Sequence, residues 1–165
     1  MNANTAELTV GDSAPAFHAT AVGGDFGEGR EIALIDLRGA PVVLYFYPKD
    51  DTPGCTTQAC SLRDSWSQFS GRAKVFGVSV DSAASHAKFI EKFTLPFPLL
   101  ADPAHEIVDA YGVWVEKSMY GKKYMGAERS TFVIDAHGRI AAILRKVKPD
   151  EHVGLVREAL EKIGA

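Results

Sequence analysis

Cys55 and Cys60 are the only thiols in the chain, and five positions separate them. Ahead of Cys55 stand Pro48, Lys49, Asp50, Asp51, Thr52, Pro53 and Gly54, a loop-forming set. The loop lies between an apolar run, Val42 to Tyr47, that reads as a buried strand, and a helical pattern from Cys55 to about Phe69. Cysteine is a nucleophile only as the thiolate, and a helix N-terminus favours the anion through its free N–H groups and its dipole. A free thiol with a pKa of about 8.5 is only a few per cent thiolate at neutral pH, so such placement changes the reactive fraction greatly. Pro53 suits a first helical turn, where a missing N–H costs nothing, and Gly54 lets backbone come close to a small ligand.

The second cysteine sharpens this. On a helix of about 100° per residue, Ala59, Leu62, Trp66 and Phe69 fall within about 40° of Cys55 and form one apolar stripe. Cys60 lies about 140° round, on the opposite side. Five residues of helix hold two Cα atoms roughly 8–9 Å apart, beyond the ~7 Å reach of a disulfide. If the cysteines pair, the first turns of the helix must unwind. The pattern therefore predicts a catalytic disulfide with local unfolding rather than a structural staple.

The elements that carry this loop follow from hydrophobic periodicity. Val10 to Phe17 reads as a turn with Phe17 on the core. Gly23 to Gly29 holds four glycines without a following helix pattern, which favours a plain hairpin loop over a phosphate cradle. Alternation from Glu31 to Leu37 is strand-like and ends at Arg38-Gly39. Lys74 to Val80 reads as a second central strand, and Asp81 or Ser82 caps a helix from about Ala83 to Phe93 with Phe89, Ile90 and Phe93 inward. Leu95 to Leu100, with two prolines, is extended. Asp102-Pro103 starts a short helix through Tyr111. Gly112 to Tyr124 reads as a loop with Trp114 and Tyr124 as anchors and a basic pair on a solvated rim. Thr131 to Asp135 and Ile140 to Lys146 form a hairpin around Ala136, His137 and Gly138. A last helix from about Asp150 to Ile163 turns Val153, Val156, Leu160 and Ile163 to one face. Strands alternating with helices, then a hairpin and a helix, argue an α/β sandwich. No internal repeat or linker divides the chain, so residues 1–165 read as one domain.

Composition narrows the function classes. A chain of 165 residues with ordinary apolar content buries its own core. A net charge of −3 gives no reason to expect nucleic acid or an anionic membrane as partner. Secreted disulfide scaffolds use more cysteines than two. Met1 to Glu7 is polar, with no basic or apolar leader pattern, and no apolar run approaches a membrane span. A cytoplasmic protein is expected. The histidines His18, His86, His105, His137 and His152 are scattered, and two cysteines opposed on a helix do not converge on one ion, so no metal is expected. Spacing alone leaves a Cys-His dyad open, because the partners can be distant in sequence.

The loop closely resembles that of the peroxiredoxins, in particular the bacterioferritin-comigratory-protein (PrxQ) branch. Their Pro-x-x-x-Thr/Ser-x-x-Cys hallmark is met by Pro48, Thr52 and Cys55, and the branch often carries its second cysteine where Cys60 stands. The flanking Tyr45, Phe46, Tyr47, Lys49, Asp50, Pro53, Gly54 and Thr56 fit the same branch. Glu128 to Asp135 is similar to the family's Arg-Ser/Thr-x-Phe-x-Ile-Asp strand, with Arg129 as the arginine that reaches the thiolate. Val10 to Phe17 resembles the family's entry segment, and the stretch between Phe17 and Leu37 is longer than the compact family pattern. The resemblance covers nearly the whole chain and implies a thioredoxin-like fold, a central mixed sheet flanked by helices.

What it implies chemically is a thiol peroxidase acting on hydrogen peroxide and organic hydroperoxides. Cys55 is oxidised to a sulfenic acid and Cys60 resolves it, while thioredoxin, or a glutaredoxin, restores the thiols. Thr52, Arg129 and Gly54 face the peroxide, and Pro48 shields the thiolate from water. The bland alternatives are a turn residue at Thr52, a solvated strand-end arginine at Arg129 and a strand terminator at Pro48. No cofactor is implied, and a monomer is. A disulfide reductase on this fold would need the Cys-x-x-Cys pair that is absent. A binding or chaperone module with a buried structural cysteine would leave the Pro48, Thr52 and Arg129 set unexplained.

Overall fold

The computed structural model describes residues 7–164. The leader reading on Met1 to Glu7 therefore lies, apart from Glu7, outside the described residues. The chain builds β1 (His18–Val22), β2 (Arg30–Ala33), β3 (Val42–Phe46), α1 (Pro53–Asp64), β4 (Lys74–Ser79), α2 (Ala83–Phe93) and β5 (Leu99–Ala101). It continues with α3 (Glu106–Ala110), β6 (Trp114–Met119), β7 (Lys122–Ala127), β8 (Ser130–Ile134), β9 (Ile140–Leu144) and α4 (His152–Lys162). Seven strands form one mixed sheet in the order β2-β1-β5-β4-β3-β8-β9, and β6 pairs with β7 in a separate antiparallel hairpin. The sheet is parallel across β3–β4 and β4–β5 and antiparallel elsewhere. No helix among the described residues is long and apolar enough to cross a membrane.

Strand β3 sits near the middle and is buried along its whole length, which is why it reads as a continuous apolar run. Its side chains still alternate. Val42, Leu44 and Phe46 enter one core with Ile107, Val108, Tyr111 and Phe132. Val43, Tyr45 and the following Tyr47 enter the other, beneath α1, α2 and α4, with Ala59, Leu62, Phe89, Val156 and Leu160. Gly77 of β4 makes room for this second layer, since a Cβ there would come within 2.6 Å of Leu99 and 2.8 Å of the Tyr45 ring. The sheet thus delivers the C-terminal ends of β3 and β4 to the start of α1.

Several boundaries differ from the sequence reading. α1 starts at Pro53 and ends at Asp64, and Trp66–Gln68 is a separate 3₁₀ turn, so the stripe ending at Phe69 is broken rather than one helix. The strand expected through Leu37 stops at Ala33, where the Asp36 carboxylate accepts from the Ala33 amide and Leu34–Leu37 coils into a 3₁₀ turn. Of Leu95 to Leu100, only Leu99 and Leu100 are strand. The short helix begins at Glu106 instead of Asp102, whose buried carboxylate accepts from the amides of Ile107 and Val108 at 2.9–3.1 Å. Gly112 to Tyr124 is no loop: it contains most of the β6–β7 hairpin, and Tyr124 is exposed rather than anchoring. β1 has no counterpart in the sequence reading; its short five-residue segment is recruited by pairing with β2 and β5.

Candidate active site

The loop 47–52 leaves β3 and turns into α1 through Asp51, whose φ of 56° reverses the chain. Thr52 occupies the N-cap position in extended conformation, and its carbonyl accepts from the Thr56 amide at 2.8 Å. Its hydroxyl does not cap the helix; it donates back to the Lys49 carbonyl at 2.9 Å. Pro53, at the first helical position, has no N–H, so the amides of Gly54 and Cys55 are the free donors at this terminus.

Cys55 is only 2% exposed and packs on the Tyr45 and Tyr47 layer. Arg129, just ahead of β8, reaches it: Nη1 lies 3.5 Å from Cys55 Sγ and donates to Gln58 Oε1 at 2.7 Å. Gln58 is fully buried, one turn along α1, and holds the guanidinium against the sulfur. The same guanidinium explains Gly54, where a Cβ would meet Arg129 Nη2 at 3.0 Å. Close approach at Gly54 thus admits the side chain of the residue that leads into β8. Pro48 is half-buried at the end of β3.

Cys60 is a half-buried free thiol on the same unbroken helix as the buried free thiol of Cys55. Continuous helix over five residues keeps the two Cα atoms roughly 8–9 Å apart. Beneath them the Tyr45 phenol is fully buried, and burial, followed by the nearby Cys55 and Asp50, pushes its pKa well above 10.0. His152 lies on the same layer, its Nε2 2.8 Å from Thr131 Oγ1 and its ring 5.3 Å from that of Tyr45. Burial, reinforced by the positive Arg129, lowers its pKa to about 3. His152 is therefore neutral at physiological pH. Lys117 on β6 is also pushed down, first by burial and then by Arg129.

Cys55 and Arg129 thus meet in space across 74 positions of chain. The Thr52 hydroxyl is engaged within its own loop, and Cys60 stands apart on the helix. Gln58 was not singled out from the sequence. A polar residue three positions after Cys55, on a helix otherwise apolar toward the core, is the signal that finds it. No group of three or more His, Cys, Asp or Glu that could hold a metal occurs among the described residues.

A model of the AhpC/TSA family matches residues 10–143. The Bacillus subtilis peroxiredoxin Bcp is 48% identical over 157 residues, covering 94% of this chain and 95% of that protein. The Escherichia coli peroxiredoxin Bcp is 39% identical over 156 residues, covering 94% and 97%. Among solved structures, the Xanthomonas campestris bacterioferritin comigratory protein superposes with a TM-score of 0.81 at 36% identity, over 90% of this chain and 92% of that one. A Xylella fastidiosa PrxQ variant gives 0.86 at 33% identity, over 97% and 99%.

Proposed function

Because this chain belongs to the AhpC/TSA family, with Bcp/PrxQ peroxiredoxins as its relatives and a thiol peroxidase activity, we propose that it runs a two-cysteine cycle on hydrogen peroxide and organic hydroperoxides with thioredoxin as reductant. The observation that carries the reading is the Arg129 guanidinium 3.5 Å from the buried Cys55 sulfur, with Cys60 on the same helix. A fixed positive charge at that distance from a cysteine only 2% exposed attracts a negative sulfur and a peroxide oxygen alike. The Cys55 thiolate attacks the terminal oxygen of the hydroperoxide. The S–O bond forms as the O–O bond breaks, and the leaving alkoxide or hydroxide takes up a proton as alcohol or water. Arg129 and the free amides of Gly54 and Cys55 stabilise the charge that moves onto oxygen. Thr52 turns its hydroxyl from the Lys49 carbonyl to the bound peroxide, and Pro48 limits water at the sulfur.

Cys55 then carries a sulfenic acid. The start of α1 unwinds, the Cys60 sulfur attacks the Cys55 sulfur, and water leaves as the disulfide forms. A dithiol protein reduces that disulfide by exchange; thioredoxin is the reading favoured here, with a glutaredoxin as the alternative. Organic hydroperoxides are included because the Xanthomonas neighbour is described for alkyl peroxide reduction. The whole chain acts as one thioredoxin-like domain, as a monomer in the reducing cytoplasm.

The test is intact mass and free-thiol count after one equivalent of hydrogen peroxide, then after thioredoxin with its reductase. Loss of two thiols and about two mass units, restored by thioredoxin, is expected. Cys55→Ser should lose the reaction entirely, and Cys60→Ser should stop at a sulfenic acid about sixteen mass units heavier. A wild-type protein that stops at that heavier species would overturn Cys60 as the resolving thiol, and a disulfide that thioredoxin leaves intact would overturn the reductant.

A further inference from the structure

The loop that delivers Cys55 is tied down at one buried residue remote from the sulfur chemistry. The Asp50 carboxylate is 7% exposed and receives three side chains. Oδ1 accepts from the Tyr47 hydroxyl at 2.5 Å, and Oδ2 accepts from the Ser85 hydroxyl at 2.7 Å and lies 2.8 Å from His86 Nδ1. His86 is fully buried, and its other nitrogen, Nε2, is 2.9 Å from the Leu100 carbonyl. A carbonyl only accepts, so Nε2 carries a hydrogen; the Nδ1–Asp50 Oδ2 bond is closed by one further proton shared between the two groups, and the ring is held at both ends. The Asp50 amide donates to Asp81 Oδ2 at 2.8 Å, and Asp81 in turn accepts from the Ser79 hydroxyl at 2.6 Å.

Most of these partners belong to α2 and to the ends of β4 and β5. The Ser82 hydroxyl caps α2 by accepting from the Ser85 amide, which orients the turn that carries Ser85 and His86. The same helix meets the active-site segment twice more: Lys92 pairs with Asp51 at 2.7 Å, and its last-turn carbonyl at Phe93 accepts from Arg63 of α1 at 2.7 Å. Helix α2 is therefore a splint lying along the loop and α1.

Burying a carboxylate and an imidazole is costly unless both are hydrogen-bonded, and an apolar pair would fill the same volume more cheaply. What the polar pair adds is position. Only Asp51 separates Asp50 from the N-cap Thr52, so a shift of Asp50 moves the start of α1 and Cys55 with it. Arg129 comes from a different segment, the residue leading into β8, and does not follow. A misplacement of about 1 Å between reacting groups costs up to about a hundredfold in rate.

We propose that His86, acting through Asp50, is a positioning residue for the peroxide reaction: the pair holds the 47–52 loop where Cys55 meets Arg129. The proposal rests on peroxide chemistry at Cys55 and not on how Cys55 is later reduced.

Two matched variants separate positioning from core stability. In His86→Asn the side-chain amide takes about the place of Nδ1 and can still donate to Asp50. In His86→Gln the amide reaches toward the Leu100 carbonyl and leaves Asp50 without a partner at that position. Both remove the ring from the same buried site and each leaves one of its two partners unmet, Leu100 in His86→Asn and Asp50 in His86→Gln, so both thermal midpoints should fall. The second-order rate constant for Cys55 oxidation by hydrogen peroxide should stay within about threefold of wild type in His86→Asn and fall by about tenfold or more in His86→Gln. Equal rates in the two variants, or the slower rate in His86→Asn, would overturn the proposal. Should neither variant fold, hydrogen exchange of the Asp50 amide in the reduced wild type decides. Exchange as slow as in β4 supports a fixed loop, and exchange at the rate of exposed turns overturns it. An unreactive wild type would instead sink the peroxidase reading.

Discussion

Thr52 divides the active-site segment into two parts that are held in opposite ways. Upstream, residues 47–51 are cross-braced: Tyr47, Asp50 and Asp51 make side-chain or amide bonds to one another, to Asp81, and to Ser85, His86 and Lys92. Downstream, the first turns of α1 have no side-chain cap and no acidic residue against the dipole. Beyond the core packing of Cys55 and Ala59, the side-chain hydrogen bonds that reach them from other elements among the described residues come from the Arg129 cross-tie, to Cys55 and Gln58. The contrast suits the proposed cycle, in which one part keeps the loop in place and the other releases its helix. A segment with few ties opens locally at much lower free energy than the global fold.

Oxidation provides the largest test of this contrast. In the disulfide form, amides of residues 55–62 should lose about a hundredfold or more of their hydrogen-exchange protection, because two Cα atoms roughly 8–9 Å apart must close to within ~7 Å. The Asp50 amide should keep its protection within about threefold. Equal loss on both sides of Thr52 would erase the distinction.

The cross-tie is next. Arg129→Lys keeps the charge but replaces the planar guanidinium, whose Nη1 meets both Sγ and Gln58 Oε1, with a shorter, freely rotating ammonium. Stopped-flow oxidation by hydrogen peroxide should slow by about a hundredfold, the scale of losing one preorganised donor. A Lys variant as fast as wild type would show that charge alone suffices and that the reach and planarity of the guanidinium do nothing.

The smallest effect concerns stability beneath the site and not rate. The pKa of His152 is lowered to about 3 in the fold, mainly by burial, against about 6.5 in an unfolded chain. Between these values the unfolded chain binds a proton that the folded protein refuses. Stability is thus full above about pH 6.5 and falls as the pH drops toward 3, by up to about 1.4 kcal/mol per unit. His152→Gln, which can keep the bond to Thr131, should remove about 2–3 kcal/mol of the loss between pH 7 and 4.5 in urea titrations. Parallel pH profiles for the two proteins would mean that His152 is charged in the fold.

The legible parts of the molecule are those whose signal is local. β3 reads from its apolar run, α2 from Ser82 and its inward Phe89, and α4 from the spacing of Val153, Val156, Leu160 and Ile163. β6 and β7 were missed because Gly121 and three lysines, Lys117, Lys122 and Lys123, mask a two-stranded ribbon that is largely exposed and lacks strong alternation. β1 was missed because a five-residue strand is decided by its neighbours. The spacing predicts a longer α1 than the fold builds because the apolar stripe continues through the 3₁₀ turn at Trp66.

Legible from the chain alone are the groups that could do chemistry: a cysteine after Pro53 and Gly54, a second thiol five residues on, and an arginine heading a distant strand. Those are covalent facts and helical spacings, which need no partner to be read. Only the tertiary structure decided that Gln58 and Gly54 seat Arg129 on the sulfur, that the Thr52 hydroxyl is engaged by Lys49, and that His86 braces Asp50. Each of these joins a side chain to a group placed by the folding of another segment, or to a backbone atom whose direction the turn decides. Spacing along the chain carries no record of such contacts until the sheet brings β3, β8 and α2 together.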